Sequence, residues 1–233
     1  MSTGEYRKPY TDRDQSPQGI ELRTILVVGL VMVAVGAFIV AHALSSGSQL
    51  PPAAAQDIPS TVTTNVPFAP SPGAVAAPLA ASTPVTIEIP AIKVDAPVMR
   101  LGLNSDGTVQ VPPLDNHNLA GWYDRSVTPG AEGTSVILGH VDDYAGASVF
   151  YNLKNLHKGD IVDVIRADGK TAVFSVDGVQ KAVKTSFPTN DVFGNVPYPA
   201  LRLVTCGGTF DPKTGSYLDS IIVYAHLTGM AAK

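Results

Sequence analysis

The feature that most limits what this chain can fold into is an unbroken apolar run, Ile25 to Ala41, without a charge or a proline. With Thr24 and His42 to Leu44 at its ends it reaches the roughly 20 residues that a bilayer-spanning helix requires. Arg7, Lys8, Arg13 and Arg23 precede the run, whereas His42 to Ile92 holds no Lys or Arg. That asymmetry places the N-terminus in the cytoplasm and everything after the run outside. The alternative is a cleavable secretory signal, with Ala53 to Ala55 imitating a cleavage site, although the polar N-terminal region and the apolar run are both longer than such signals usually are. Either reading exports the remainder of the chain.

That remainder is of two kinds. Ser45 to Ser82 consists largely of Ala, Pro, Ser, Thr and Gly, with almost no charge and no sustained period. It cannot bury a core and reads as an extended, semi-flexible tether. From Pro84 onward short β-rich runs alternate with turn signals, over enough chain to bury roughly two thirds of its unfolded surface. The expected organisation is a cytoplasmic tail over 1–23, a transmembrane signal-anchor helix over 24–44, a Pro/Ala-rich flexible tether over 45–83 and one extracytoplasmic domain over 84–233. The location is the cell membrane, crossed once.

A net charge of -4 and the lack of a Lys/Arg run beyond the anchor give no footprint for nucleic acid. The single cysteine, Cys206, cannot form an internal disulfide, and no Cys and His stand at zinc-ligand spacing. An exported chain with one unpaired thiol suggests that the thiol has a use.

Val85 to Val98 alternates apolar and polar residues around Pro90, which predicts two short strands bent at the proline. Asn104-Ser105-Asp106-Gly107 and Asp168-Gly169 are tight-turn signals between β-rich runs. Val173 to Val183, Ala200 to Cys206 and Ser220 to His226 add further runs, and no stretch keeps a 3.6-residue period long enough for a substantial helix. Phe150 to Leu156 fits one or two helical turns. Seven or eight short strands imply an all-β antiparallel sandwich or a closed barrel, and the pattern does not choose between them.

Side-chain alternation puts Val136, Leu138 and His140 on one face of a strand that ends at His140, where a polar loop begins. It likewise puts Arg202, Val204 and Cys206 on one face of a strand, with Gly207-Gly208 directly after the thiol. A thiol at a strand end beside glycines is open to a substrate, and a nucleophilic thiol needs a base or cation to become a thiolate. Alone, a cysteine is as well explained as a small buried hydrophobe and a histidine as a satisfied polar residue.

The segments IEIPAIKVDAPV, TSVILGHVDDYAGASVFYNLKNLHKGDIVDV and LRLVTCGGTFDPKTGSYLDSIIVYA resemble the sortases in order and spacing, most closely the class F group of high-GC Gram-positive bacteria. A strand ending in Gly-His and a later one ending in Thr-Cys carry most of the resemblance. It implies a closed eight-stranded β-barrel with short helical turns, preceded here by one transmembrane helix. It implies an enzyme that cuts a C-terminal sorting motif, often LPXTG-like, in secreted proteins. The acyl group then passes to an amine on a peptidoglycan precursor or a pilin.

On that resemblance Cys206 is the nucleophile and His140 the acid/base partner, and no cofactor or metal is required. The family's arginine, usually on the strand after the cysteine, is missing. Its place falls at Ser220, and neighbouring Leu218 and Asp219 offer no guanidinium. The substitute is Arg202, four residues before Cys206 on the same face and about 13 Å away along the strand, with an ordinary strand-surface arginine as the competing reading. Lys213 is a weaker candidate.

Asp142, Asp143 and Asp211 are possible calcium ligands but are equally turn formers. Trp122 and Tyr123 line a groove or simply pack. His117 and His157 read as surface residues and His226 as part of the last strand. Two other functions remain. A peptidoglycan-crosslinking L,D-transpeptidase places its Cys directly after a His-Gly pair, a motif absent here. A non-catalytic module that binds wall proteins on a sortase scaffold would explain the missing arginine.

Overall fold

The computed structural model describes residues 67–71 and 73–232. The expected cytoplasmic tail, the spanning helix and most of the tether lie outside them. Among the described residues no helix is long and apolar enough to cross a membrane.

Pro84–Ile89 forms β1 and Val94–Leu101 forms β2, the two short strands expected on either side of Pro90, and the structure pairs them antiparallel. Between them a single 3-10 turn, Pro90–Ile92, starts on the proline, whose missing N–H costs nothing at a helix start, and Lys93 closes it at φ 57°. β3 (Ala120–Tyr123), β4 (Gly133–Gly139), a two-residue hairpin of β5 (Asp142–Asp143) and β6 (Gly146–Ala147), and β7 (Ile161–Arg166) come next. β8 (Lys170–Val183), the short helix α1 (Thr189–Phe193), β9 (Pro199–Asp211) and β10 (Ser216–Ala232) complete the chain. Phe150 to Leu156 contributes one 3-10 turn at Leu153–Asn155.

Eight of the strands close into a barrel in the order β1-β2-β3-β4-β9-β10-β8-β7, with β7 returning to β1. Closure settles the choice left open between sandwich and barrel, and it removes exposed strand edges. Two seams, β2 with β3 and β4 with β9, are parallel, which corrects the expectation of a purely antiparallel sheet. Neither parallel pair is sequential by a tight turn, as parallel strands require a long connection. The turn signal at Asn104 to Gly107 yields only a bridge between Leu103 and Val109, and Asp168-Gly169 a full hairpin between β7 and β8.

The strands bury side chains on both faces. Ile87, Ile137, Phe174, Leu203 and Val223 fill the lumen, and Val136, Val204, Ile222 and Tyr224 form a second cluster outside it, against Val192 of α1 and Phe187. Residues 76–83, which composition assigns to the tether, belong to this folded body. Ala76 N donates to Leu227 O and Leu79 N to Gly130 O, and the buried Arg166 guanidinium donates to Ala80 O at 2.6 Å. Those carbonyl and amide partners override a composition that on its own cannot hold structure.

Candidate active site

β4 and β9 run parallel in a register that pairs Val136 with Arg202 and Leu138 with Val204. Two residues further along each strand, His140 and Cys206 emerge at the same level and on the same outer face. They border one groove of about 290 Å³ with Leu138, Val204, Ser220, Val111 and Pro112. Cys206 is a free, half-buried thiol.

Local packing fixes both ends. A Cβ at Gly139 would lie 2.6 Å from the Phe150 ring and 2.7 Å from Val149, so only glycine lets β4 pass under this segment before His140. Phe150 N then donates to His140 O at 3.0 Å. The imidazole Nε2 of His140 donates to the Pro112 carbonyl at 2.6 Å. Beyond the thiol, Gly208 has φ 77° and its Cα faces the Asp219 carboxylate with no room for a side chain.

Ser220 stands directly across the ladder from Cys206 and is buried. The position where the resemblance leads one to expect an arginine is therefore beside the thiol, and it carries a hydroxyl. Arg202 does not take its place. It is 1% exposed, its Nε donates to Asp191 O at 3.1 Å beneath α1, and its guanidinium carbon sits 4.6 Å over the Tyr224 ring. Burial pulls its guanidinium below the ordinary value, opposed by the nearby Tyr198 and Tyr224. Parity put Arg202 on the correct face, but α1 seals it away from the thiol. Lys213 lies in the β9–β10 turn, where its backbone N–H donates to the Asp211 carboxylate at 2.9 Å.

Trp122 and Tyr123 do not border the groove either. Trp122 packs in the lumen cluster with Nε1 donating to Ser126 Oγ and Val127 O, both at 3.1 Å, and Tyr123 stacks edge-on against Phe193. Asp143 and Asp211 act as turn formers, accepting from Ala145 N at 2.7 Å and from Lys213 N at 2.9 Å, whereas Asp142 accepts from the distant Tyr217 hydroxyl. Among the described residues no group of His, Cys, Asp and Glu is placed to hold a metal.

Three residues escape the sequence reading: Thr205, Tyr217 and Lys154, which border the cavities beside Cys206. The Thr205 hydroxyl is buried and has no partner, and Thr205 is among the residues that line both the groove and a second, smaller cavity of about 70 Å³ beside Cys206. That second cavity also holds Tyr217 and Lys154. Tyr217 is pushed up to about 12, chiefly by its bond to Asp142, so its phenol keeps its proton. His226 is not a plain strand residue: its Nδ1 meets Asp177 Oδ1 at 2.7 Å in a buried pair.

A Sortase domain family model matches residues 87–228. Solved structures with the same fold include sortase C1 of Streptococcus agalactiae in complex with MTSET (17% identity, 65% of this chain and 72% of that one, TM-score 0.50). The SrtA sortase from Actinomyces oris is 24% identical over 72% of this chain and 89% of its own, with a TM-score of 0.47. A lid mutant of sortase A from Corynebacterium diphtheriae is 21% identical over 65% and 73%, with a TM-score of 0.48. A search of curated protein sequences returns no match.

Proposed function

The chain belongs to the sortase family, and from that premise we propose that it is an exported cysteine transpeptidase, most like the class F members, anchored by residues 24–44 with its N-terminus in the cytoplasm. It acts on secreted proteins bearing a C-terminal sorting motif and transfers them to a cell-wall or pilin amine. The observation that carries the reading is the parallel register of β4 and β9, which delivers His140 and Cys206 to one groove.

In the first half-reaction the Cys206 sulfur attacks the carbonyl carbon of the motif's scissile bond. The C–N bond breaks, an acyl thioester forms, and His140 gives its proton to the departing amine. In the second, an incoming amine loses a proton to His140 as its nitrogen replaces the sulfur, and the thiolate is restored. The mostly apolar groove on the His140 side suits the motif's side chains, and the cavity with Tyr217 and Lys154 on the other side suits the acceptor. The oxyanion needs a donor where the family's guanidinium is missing. We assign that donor to the Thr205 hydroxyl, which has no partner and would have to turn from its buried position toward Cys206 to reach the oxyanion.

The test is to incubate the full chain with a panel of sorting-motif peptides and an amine, and to look for a thioester on Cys206 by intact mass. A Cys206→Ala strain tests the same point in the cell, where wall display should fail. No adduct with any peptide, together with normal display in that strain, favours the wall-protein-binding module instead.

A further inference from the structure

We propose that the main-chain carbonyl of Pro112 is the third member of this site, a positioning group that sets which nitrogen of His140 exchanges protons. The inference rests on the transpeptidase reading above for its purpose, but its geometry stands by itself. A carbonyl oxygen has no proton to give, so the 2.6 Å contact requires His140 Nε2 to carry the hydrogen. In the neutral ring Nδ1 is then the bare nitrogen that accepts a proton from the incoming amine. In the imidazolium the Nε2–H bond to Pro112 persists, and the Nδ1 proton is the one given to the leaving amine.

A histidine acting in this way is usually steadied by a carboxylate. Among the described residues no carboxylate bonds the His140 ring. Asp142 and Asp143, which come just after it in sequence, are turned to Tyr217 and to Ala145 N. The orienting task falls to the backbone of residues 102–119, the excursion between β2 and β3.

That excursion is built to hold an oxygen still. Pro112 precedes Pro113, so both φ angles are fixed by rings and residue 112 is confined to extended backbone. Pro112 is buried while Val111, Pro113 and Leu114 are exposed. One root of the loop is stapled by Gln110, whose Oε1 accepts from Gly102 N at 2.8 Å and whose N donates to Gly102 O at 3.0 Å. The other is tied by Asn118 Nδ2 to Asp95 O at 3.0 Å and by Ser148 Oγ to His117 O at 2.9 Å. The contact also leaves the groove open. Val111 and Pro112 form its wall, and Cys206 still borders about 290 Å³ of free space. A plug would fill that space; a clamp borders it.

The experiment reads the tautomer directly. The full chain with ¹⁵N-labelled histidine has five such rings, and long-range ¹H–¹⁵N correlation distinguishes Nε2–H from Nδ1–H once His140→Gln has identified the His140 signals. The expected spectrum of the neutral ring shows Nε2–H alone. Replacing both prolines, Pro112→Gly with Pro113→Gly, should give a mixture of tautomers and slow thioester formation about tenfold at saturating peptide, with KM little changed. Gln110→Ala, which loosens the loop root without touching the ring, should move both readouts in the same direction by less. An Nδ1–H ring in the unaltered chain overturns the proposal, as does a faster rate in either loop variant, which would make the contact inhibitory. The spectrum needs no substrate. A chain that forms no thioester while showing Nε2–H sinks the transpeptidase reading and leaves the clamp in place.

Discussion

The outer face of β9 and β10 has two polar ends, and they differ in kind. At one end Cys206, Ser220 and His140 border an open groove, with a main-chain carbonyl as the imidazole's partner. At the other, His226 and Asp177 form a pair whose side chains are 8% and 6% exposed, and Arg202 lies sealed over Tyr224. Judged by residue type the sealed end looks more like a catalytic centre, since it holds a His–Asp pair, an arginine and tyrosines. Its side chains border no groove with the thiol. Access separates the two ends: a reacting group must meet substrate, whereas a clamp works best where water is excluded.

The sharpest way to break this comparison is to remove each histidine. His140→Ala should slow thioester formation by about 10²–10⁴-fold while leaving thermal unfolding unchanged. His226→Ala should do the reverse. It leaves the Asp177 carboxylate buried without its partner, at a cost of about 3 kcal/mol, while the rate per folded molecule holds. A His226→Ala protein that folds normally and is inactive would show that the sealed end takes part in the chemistry.

Next in size is a pair of substitutions at two positions on opposite faces of β9. Thr205→Val keeps shape and removes a hydroxyl that has no partner, so it should lower the acylation rate about 10²-fold with stability unchanged or raised. Arg202→Leu should cost stability, about 2 kcal/mol from the lost ring contact, and leave the rate per folded molecule intact. Urea melts read the first quantity and stopped-flow acylation the second. A rate loss in Arg202→Leu matching that of Thr205→Val would return Arg202 to the site.

These residues also show how far the sequence was legible. Face parity was readable, because alternation along LRLVTC and TSVILGH needs only a period of two. The break between two strands at Pro90 and the hairpin turn at Asp168-Gly169 were readable, since a proline fixes its own φ and a glycine accepts the positive φ that a tight turn needs. Depth was not. Arg202 is sealed by α1, a helix of five residues, Thr189–Phe193, too short to leave a periodic signal. Strand ends were underestimated as well: β10 runs from Ser216 to Ala232, past a Thr-Gly that reads as a stop and that the ladder accommodates with a register shift. Thr205 carries no signal in the sequence, because it has the opposite parity to Cys206 and only the end of the barrel brings both to the same cavities. The Pro112 contact joins positions 28 apart in sequence through an irregular loop, and no local pattern in VPPL encodes its target.

The smallest effect expected is electrostatic. Burial raises the Asp177 carboxyl above 3.8, with His226 pulling the other way. The folded chain therefore holds the Asp177 proton to higher pH than the unfolded chain does, and in that interval it binds more protons. Stability from this group is full below about pH 4 and is lost as pH rises through the raised folded value. Asp177→Asn has nothing to titrate there. The wild-type melting temperature should therefore fall relative to that variant as the pH rises above about 4. The open end should ignore the change, because Asp177 does not border the groove. If the acylation rate of Asp177→Asn departs from that of the wild type over the same interval while the melting difference stays flat, the carboxylate acts on the thiol rather than on the fold, and the two ends are one site.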